Sequence, residues 1–134
     1  MIVVDSSVWI DQLNARHTPK TALLVQLLGS VPLGLVDLSL TEVLQGTRSD
    51  ADFQRVERVL IAMQIISTTG ATIAVEAARN YQRLRAVGIT VLSTIDTLIA
   101  TRCMIDDHRL LHSDRDFDSF ERHLGLKVLK GFGD

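Results

Sequence analysis

The stretch Ile2-Val3-Val4-Asp5-Ser6-Ser7 determines the predicted fold of this chain. Three apolar residues that favour strands run directly into an acid and two serines, and the apolar run Val8-Trp9-Ile10 follows. This pattern predicts a short strand that is buried on both faces, ends at a carboxylate and precedes a helix. Ligands of open parallel sheets lie just beyond the carboxyl ends of the strands, so Asp5 is a candidate site residue.

Strands and helices alternate along the rest of the chain. Apolar runs predict further strands at 31–38, 64–67, 109–112 and 126–129, and residues 89–92 form either a strand or an extended loop. Helical patterns lie between them, at 7–15, 20–28, 39–46, 49–63, 72–87, 93–106 and 117–124. This alternation predicts an α/β fold: a three-layer α/β/α sandwich with a central parallel sheet, in a single domain of residues 1–134.

Local signals predict where several helices begin and which faces they bury. Thr18 and Pro19 are typical of an N-cap and a first helical position. The Ser-x-x-acid spacing predicts caps before Glu42, Asp96 and Asp116. The serines at 6 and 7 are expected to cap the first helix and to hydrogen-bond Asp5. The helix at 72–87 is expected to bury Ala74, Ala77, Ala78, Tyr81 and Leu84.

Composition limits the possible classes of protein. The 134 residues contain no apolar run near the ~18 residues that span a membrane, and no basic segment of a secretory signal precedes Ile2. The single Cys103 excludes an intrachain disulfide and is expected to be a small buried residue. We therefore expect a soluble, cytoplasmic protein. The net charge of −2 does not favour a protein that binds RNA mainly through a positive electrostatic potential over its whole surface.

Five acids are expected to meet at one edge of the predicted sheet. They follow or precede strand ends at four separate places in the sequence: Asp5, Glu42, Asp96, and the pair Asp114 and Asp116. For Glu42, Asp96 and Asp116, helix capping is an alternative role, compatible with binding a cation. Clustered carboxylates raise one another's pKa, and a divalent cation relieves this repulsion. Oxygen ligands favour Mg²⁺ or Mn²⁺, which predicts hydrolysis of a phosphodiester or phosphomonoester.

Other chemistries fit the sequence less well. There is no Walker loop and no glycine-rich dinucleotide fingerprint. A phosphatase with an aspartate nucleophile would need an acid at the position of Ser7. The histidines at 17, 108, 112 and 123 lack metal-ligand spacing and are expected to lie on the surface or to pack in the core. The remaining aspartates, Asp37 among them, are interpreted as solvated or turn residues.

Four segments of the chain together resemble a known family. VVDSSVWID at 3–11, LSLTEVLQG at 38–46, DTLIA at 96–100 and LLHSDRDFDSF at 110–120 are similar to the successive motifs of PIN domains. More narrowly, they resemble the VapC toxins of bacterial VapBC toxin–antitoxin systems. The resemblance implies a single PIN domain of PIN-like fold over residues 1–134.

The resemblance also implies an activity and a site. It implies an endoribonuclease toxin that cleaves a structured RNA, a tRNA or rRNA, by attack of a metal-activated water on a phosphodiester. Its metal ligands for Mg²⁺ or Mn²⁺ would be Asp5, Asp96 and Asp114, and Glu42 and Asp116 would complete the shell. Ser7 and Ser113 would support these acids by hydrogen bonds. We further expect Arg16, Arg48 or Arg115 to position phosphate, with a surface salt bridge as the alternative role of each.

The same resemblance implies partners and leaves alternative functions open. The family implies a homodimer and a cognate VapB antitoxin that blocks the site. Two other functions stay open at this stage: a housekeeping PIN nuclease in RNA maturation, and a catalytically inactive PIN-like binding module. The apolar segments at 9–28 and 53–63 are expected to be core, with an antitoxin groove or a dimer face as alternatives.

Overall fold

The computed structural model describes residues 1–131, in which five parallel strands form one sheet. The strands are β1 (Ile2–Val4), β2 (Leu33–Val36), β3 (Gln64–Ile66), β4 (Arg109–Leu111) and β5 (Lys127–Val128). They are arranged in the order β3-β2-β1-β4-β5. The α/β fold class with a central parallel sheet is thus confirmed.

Seven α-helices flank this sheet within the described part of the chain. They are α1 (Ser6–Leu13), α2 (Pro19–Leu27), α3 (Asp37–Gln45), α4 (Asp50–Ile61), α5 (Ala71–Ala86), α6 (Thr94–Ile105) and α7 (Asp118–Leu124). A 3₁₀ turn, Arg115–Phe117, precedes α7. Thr18 caps α2 and Pro19 is its first residue, as predicted.

Neighbouring residues of each central strand contribute to two separate hydrophobic clusters. Val3 and Leu110 pack with residues of α5, α6 and α7 on one face of the sheet. Val4 and Leu111 pack with residues of α1 to α4 on the other face. All four side chains are fully buried, and each contributes roughly 1.5–3 kcal/mol relative to exposure. The alternation confirms the three-layer α/β/α arrangement.

The strand register aligns the carboxyl ends of β1 and β4. Val4 lies opposite Leu111, and the Asp5 amide N donates to the Leu111 carbonyl O at 2.9 Å. The strands that follow β1 along the chain, β2 and β3, lie on one side of it, whereas β4 lies on the other. The crevice between β1 and β4 is therefore the topological switch point, where ligands of such sheets bind.

Helix α3 begins earlier than predicted. It starts at Asp37, directly after β2, so the capping box between Ser39 and Glu42 is wrong. Ser39 lies inside the helix, fully buried, and its Oγ has no hydrogen-bond partner among the described residues. Asp37 is half-buried instead of solvated, and its Oδ1 accepts from the backbone N and Oγ1 of Thr68. This side chain connects the end of β2 to the loop after β3.

The region from α5 to α6 decides one open prediction and contradicts another. Residues 89–92 form a loop, which is one of the two alternatives predicted for them. In α5, Ala74 and Ala78 were expected to be buried but are exposed. The helix is oriented so that Asn80 is buried instead, and Asn80 Nδ2 donates to Thr101 Oγ1 of α6 at 3.0 Å. The buried residues of α5 are Ile73, Ala77, Asn80 and Leu84.

The prediction that Cys103 is a small buried residue is confirmed. Cys103 is fully buried in the cluster that contains α6, and burial raises the pKa of its thiol to about 12. Among residues 1–131, no helix has the length and apolar character to cross a membrane.

Candidate metal centre

Asp5 lies at the start of α1 and caps the helix itself. Its Oδ2 accepts from the Ser7 backbone N at 3.0 Å and from Ser7 Oγ at 2.6 Å. The expected hydrogen bond from a serine to Asp5 is therefore present at Ser7, whereas the prediction that the serines cap α1 is wrong. The carboxylate is only 3% exposed, and its Oδ1 is buried without a hydrogen-bond partner among the described residues. An unpaired buried carboxylate oxygen is costly, which indicates that Oδ1 needs a ligand such as a cation.

The turn after β4 carries two further acids beside Asp5. Ser7 Oγ accepts from the Ser113 backbone N at 3.0 Å, which connects this turn to the start of α1. Asp114 Oδ1 accepts from the Asp116 backbone N at 2.9 Å, so Asp114 caps the 3₁₀ turn and the predicted cap by Ser113 was wrong. The Ser113 side chain is exposed. Its backbone, through Ser7, is what links the turn to Asp5.

Glu42 reaches the same edge from α3. Its Oε1 accepts from Ser6 Oγ at 3.1 Å, and the residue is half-buried. The two adjacent serines after β1 therefore bind two different acids, since Ser7 binds Asp5. Each hydroxyl fixes the orientation of one carboxylate.

Asp96 lies in the first turn of α6, whose N-cap is the predicted Ser93. Ser93 Oγ accepts from the Asp96 backbone N at 3.1 Å, and Asp96 is 8% exposed. One carboxylate oxygen from each of Asp96, Asp114 and Asp116 lies within 4.8 Å of the other two. A single ion could contact all three after small side-chain adjustments.

Electrostatic coupling joins all five acids. Burial, and then the negative charges of the four other acids, raise the pKa of Asp96 to about 7. Burial also raises the pKa of Asp5 to about 6; the bonds from Ser7 oppose this shift, and Glu42 and Asp114 add to it. Without a cation, the cluster therefore disfavours the ionised forms of its two most buried members.

The donor set fits a hard divalent cation. All five side chains offer carboxylate oxygens, the ligand type that Mg²⁺ and Mn²⁺ prefer over zinc. The buried Asp5 Oδ1 and the grouped oxygens of Asp96, Asp114 and Asp116 offer oxygen ligands at one edge of the sheet. A cation there would return the raised pKa values toward their ordinary range.

Comparison with known proteins identifies the family. The model of the PIN domain family matches residues 2–122. The chain belongs to the PIN domain family. The match covers every acid of the cluster, from Asp5 to Asp116.

Curated relatives of this PIN domain are named ribonucleases. The chain is 27% identical over 130 residues to Ribonuclease VapC11 of Mycobacterium tuberculosis, covering 96% of this chain and 97% of that one. VapC ribonuclease Mb1587 of Mycobacterium bovis matches with the same identity and coverage.

Solved structures share the fold. VapBC2 of Rickettsia felis, bound to a promoter DNA fragment, has a TM-score of 0.75 at 17% identity, over 96% of this chain and 98% of that one. FitAcB of Neisseria gonorrhoeae has a TM-score of 0.76 at 16% identity over the whole of both chains. At these identities the likeness establishes the PIN-like α/β/α fold.

The three arginines predicted to position phosphate lie at different places in the PIN domain. Arg115 is exposed in the 3₁₀ turn, directly between Asp114 and Asp116 in sequence. Arg48 lines a groove of about 400 Å³ bounded by α1, α3 and α4. The exposed Arg16 forms an ion pair with the half-buried Asp11 at 3.6 Å. Of the three, only Arg115 is adjacent in sequence to acids of the cluster.

Sequence reasoning missed one residue of the site, His112. It was expected to lie on the surface or to pack, and it is indeed buried against the Phe117 ring, but its Nδ1 also accepts from the Asp114 backbone N at 3.2 Å. Burial, and next the charge of Lys20, lower the pKa of His112 to about 4, so the imidazole is neutral near pH 7. The signal in the sequence was its position two residues before Asp114, because a side-chain acceptor can bind the backbone N–H two residues ahead.

Proposed function

We propose that this PIN domain is a Mg²⁺- or Mn²⁺-dependent endoribonuclease and the toxin of a type II toxin–antitoxin pair. The observation that carries the proposal is the meeting of five carboxylates at the switch point between β1 and β4, where Asp5 Oδ1 is buried without a partner. The names of the curated relatives, VapC ribonucleases, support RNA as the substrate.

We assign the metal ligands to Asp5, Asp96 and Asp114, with Glu42 and Asp116 completing the shell. The proximity of carboxylate oxygens supports Asp96 and Asp114, and it also favours direct contact by Asp116. The unpaired Oδ1 supports Asp5. When bound, the divalent ion supplies an activated water and neutralises the charge that builds up on the phosphate during in-line displacement.

The chain's own residues orient the ligands and oppose part of the rise in their pKa values. Ser7 holds Oδ2 of Asp5 through two hydrogen bonds, which directs the other oxygen away from Ser7. Ser6 fixes Glu42 in the same manner. Asp5 and Asp96 lie at the N-termini of α1 and α6, where the helix dipole favours a negative charge. Such preorganisation reduces the rearrangement needed when the phosphate arrives.

A structured RNA suits this acidic protein better than a long single strand. Loops of tRNA or rRNA offer splayed bases and a local phosphate geometry, which need no broad basic surface. We assign Arg115 to a phosphate next to the scissile bond, because it is exposed and lies in the turn that carries Asp114 and Asp116. Arginine binds two phosphate oxygens at once through its planar fork.

We further propose a VapB-type antitoxin as the inhibitor, a homodimer as the working form and the cytoplasm as the location. Similar folds occur in a toxin–antitoxin complex from Klebsiella pneumoniae and in VapBC-1 from nontypeable Haemophilus influenzae. The groove between α1, α3 and α4 is a candidate docking surface, since Ile10 and Leu13 line it and are about two-fifths exposed. This surface and the acid cluster are the two regions we expect an antitoxin to cover.

Cleavage by the purified protein tests the proposal. We expect wild type to cut total tRNA or rRNA with Mg²⁺ or Mn²⁺ but not with EDTA, and Asp96→Asn to lose this activity. Glu57→Gln, which changes an exposed acid on α4, is the matched control and should keep it. Equal cleavage by wild type and Asp96→Asn would refute the proposed site.

Expression in a bacterial host separates the toxin from the alternatives. Growth arrest by wild type, absent for Asp96→Asn and relieved by the neighbouring antitoxin gene, is the expected result. Cleavage without arrest would indicate a housekeeping PIN nuclease. Absence of both cleavage and Mn²⁺ binding would indicate an inactive binding module.

A further inference from the structure

His112 occupies the junction between β4 and the turn that carries Asp114 and Asp116. Its side chain is 5% exposed, and its ring centroid lies 5.0 Å from that of Phe117. Its carbonyl O accepts from Lys20 Nζ of α2 at 2.9 Å, and its ring Nδ1 accepts from the Asp114 backbone N at 3.2 Å. The residue is therefore fixed from both its main chain and its side chain.

The hydrogen bond to Asp114 determines which ring nitrogen carries the proton. Because Nδ1 accepts from a backbone N–H, it must present its lone pair, and the proton of the neutral imidazole lies on Nε2. The connection from a side-chain acceptor to the N–H two residues ahead is that of an Asx turn, with imidazole in place of a carboxylate or amide.

Three side chains hold backbone amides in and beside this turn. Ser7 Oγ accepts from the amide of Ser113, His112 Nδ1 from that of Asp114, and Asp114 Oδ1 from that of Asp116. Each of these bonds removes freedom from the segment that presents two carboxylates to the cluster. His112 supplies the middle one, at the amide of an assigned metal ligand.

We propose that His112 is a positioning residue of the metal centre, which acts by holding the Asp114 backbone in the geometry that directs its carboxylate at the ion. The inference rests on the proposed function for its effect on metal binding, and on the hydrogen bond alone for its structural part. The comparisons with known proteins assign no role to His112.

A role in packing alone does not explain a histidine here. Nε2 is buried and has no hydrogen-bond partner among the described residues, and an unpaired buried polar group costs about 1–3 kcal/mol. Leucine or phenylalanine would fill a site against Phe117 without that cost. Among residues 1–131, the hydrogen bond from the Asp114 amide is the one contact of the ring that an apolar side chain could not make.

Three substitutions at His112 distinguish the loss of the hydrogen-bond acceptor from a change in side-chain volume. In His112→Asn, Oδ1 takes the place of Nδ1 and can close an ordinary Asx turn. In His112→Gln, the amide reaches the position of Nε2, so the side chain is still polar but its acceptor is displaced. His112→Leu retains apolar packing and removes the acceptor. Thermal unfolding of all three identifies any variant that fails to fold.

The structural part is tested by NMR on the full chain without metal. We expect the imidazole ¹⁵N shifts of wild type to report a proton on Nε2, and hydrogen exchange of the Asp114 amide to be slow. Exchange should stay slow in His112→Asn and become at least tenfold faster in His112→Gln. A proton on Nδ1 in wild type, or equal exchange in both variants, would overturn the inference.

The functional part is tested by calorimetric titration with Mn²⁺. Residues that orient metal ligands typically change metal affinity by 10- to 100-fold when replaced, so we expect about a tenfold weaker affinity in His112→Gln and His112→Leu. His112→Asn should bind within about threefold of wild type. Equal affinity of wild type and a folded His112→Leu would contradict the positioning role. If wild type itself binds no Mn²⁺, the proposed function fails, and the exchange of the Asp114 amide still decides the structural part.

Discussion

Replacing Asp5 with asparagine should stabilise the metal-free protein at neutral pH, although the residue belongs to the site. The pKa of Asp5 rises from 3.8 to about 6 on folding. Each unit corresponds to about 1.4 kcal/mol, so ionised Asp5 disfavours the fold by about 3 kcal/mol above pH 6. Asparagine removes the charge, but its one oxygen takes the place of Oδ2 at Ser7, so its NH₂ lies without a partner at the position of Oδ1, at a cost of about 1 kcal/mol. The net gain is about 2 kcal/mol, or roughly 6–10 °C in Tm.

The pH dependence of this gain is part of the prediction. Between pH 3.8 and about 6, the folded protein holds the Asp5 proton more tightly than the unfolded chain does. The contribution of Asp5 to stability therefore falls as the pH rises through that window, and it is constant above it. The difference in Tm between Asp5→Asn and wild type should be small at about pH 4 and complete at about pH 7.

Thermal unfolding in EDTA at a series of pH values measures this difference directly. Glu57→Gln, an acid-to-amide change on the exposed side of α4, is the control and should leave Tm unchanged at every pH. An Asp5→Asn protein that melts at or below wild type at neutral pH would refute the reasoning. So would a difference in Tm that does not shrink toward pH 4.

Three further predictions follow from the site and its surroundings. Mn²⁺ at a hundred times its dissociation constant should stabilise wild type by about 2.7 kcal/mol in thermal unfolding. A Tm that does not change with Mn²⁺ would refute a metal site in the folded protein. Thr101→Val should lower the free energy of unfolding in urea by about 1–3 kcal/mol, because it leaves Nδ2 of buried Asn80 without its acceptor; an unchanged value would show that the pair contributes nothing. The pKa of His112 falls from 6.5 to about 4 on folding, so its contribution to stability is lost as the pH falls from about 6.5 toward 4. The Tm of His112→Asn should therefore rise relative to wild type over that range, and a constant difference would contradict a neutral buried imidazole.

The strands were predictable because they are short apolar runs, and β1 and β2 end directly at an acid, Asp5 and Asp37. Val3 and Val4 indicated burial on both faces, and the structure places them in the two opposite clusters. The loop at 89–92 was ambiguous because its apolar residues do not tell a strand from an extended loop. The buried face of α5 was mispredicted because it includes Asn80, and only the tertiary partner Thr101 makes that burial favourable.

The acids of the cluster were predictable as a group, whereas their local contacts were not. The Ser-x-x-acid spacing correctly located the cap by Ser93, but it failed at Ser39, since α3 begins directly at the strand end. At Asp5 and Asp114 the acid itself is the cap. A single carboxylate can both cap a helix with one oxygen and present the other, which sequence spacing does not reveal. The hydrogen bond from the Asp114 amide to His112 depends on the orientation of one ring, which the sequence does not determine.

Diffraction from crystals grown with Mn²⁺ tests the central claim most directly. Anomalous scattering locates the ion without any assumption about activity. We predict a peak at the carboxyl ends of β1 and β4, within ligand distance, about 2.0–2.2 Å, of oxygens of Asp96 and Asp114 and of at least one of Asp5 and Asp116. A Mn²⁺ peak elsewhere on the protein, with none among these carboxylates, would contradict the account.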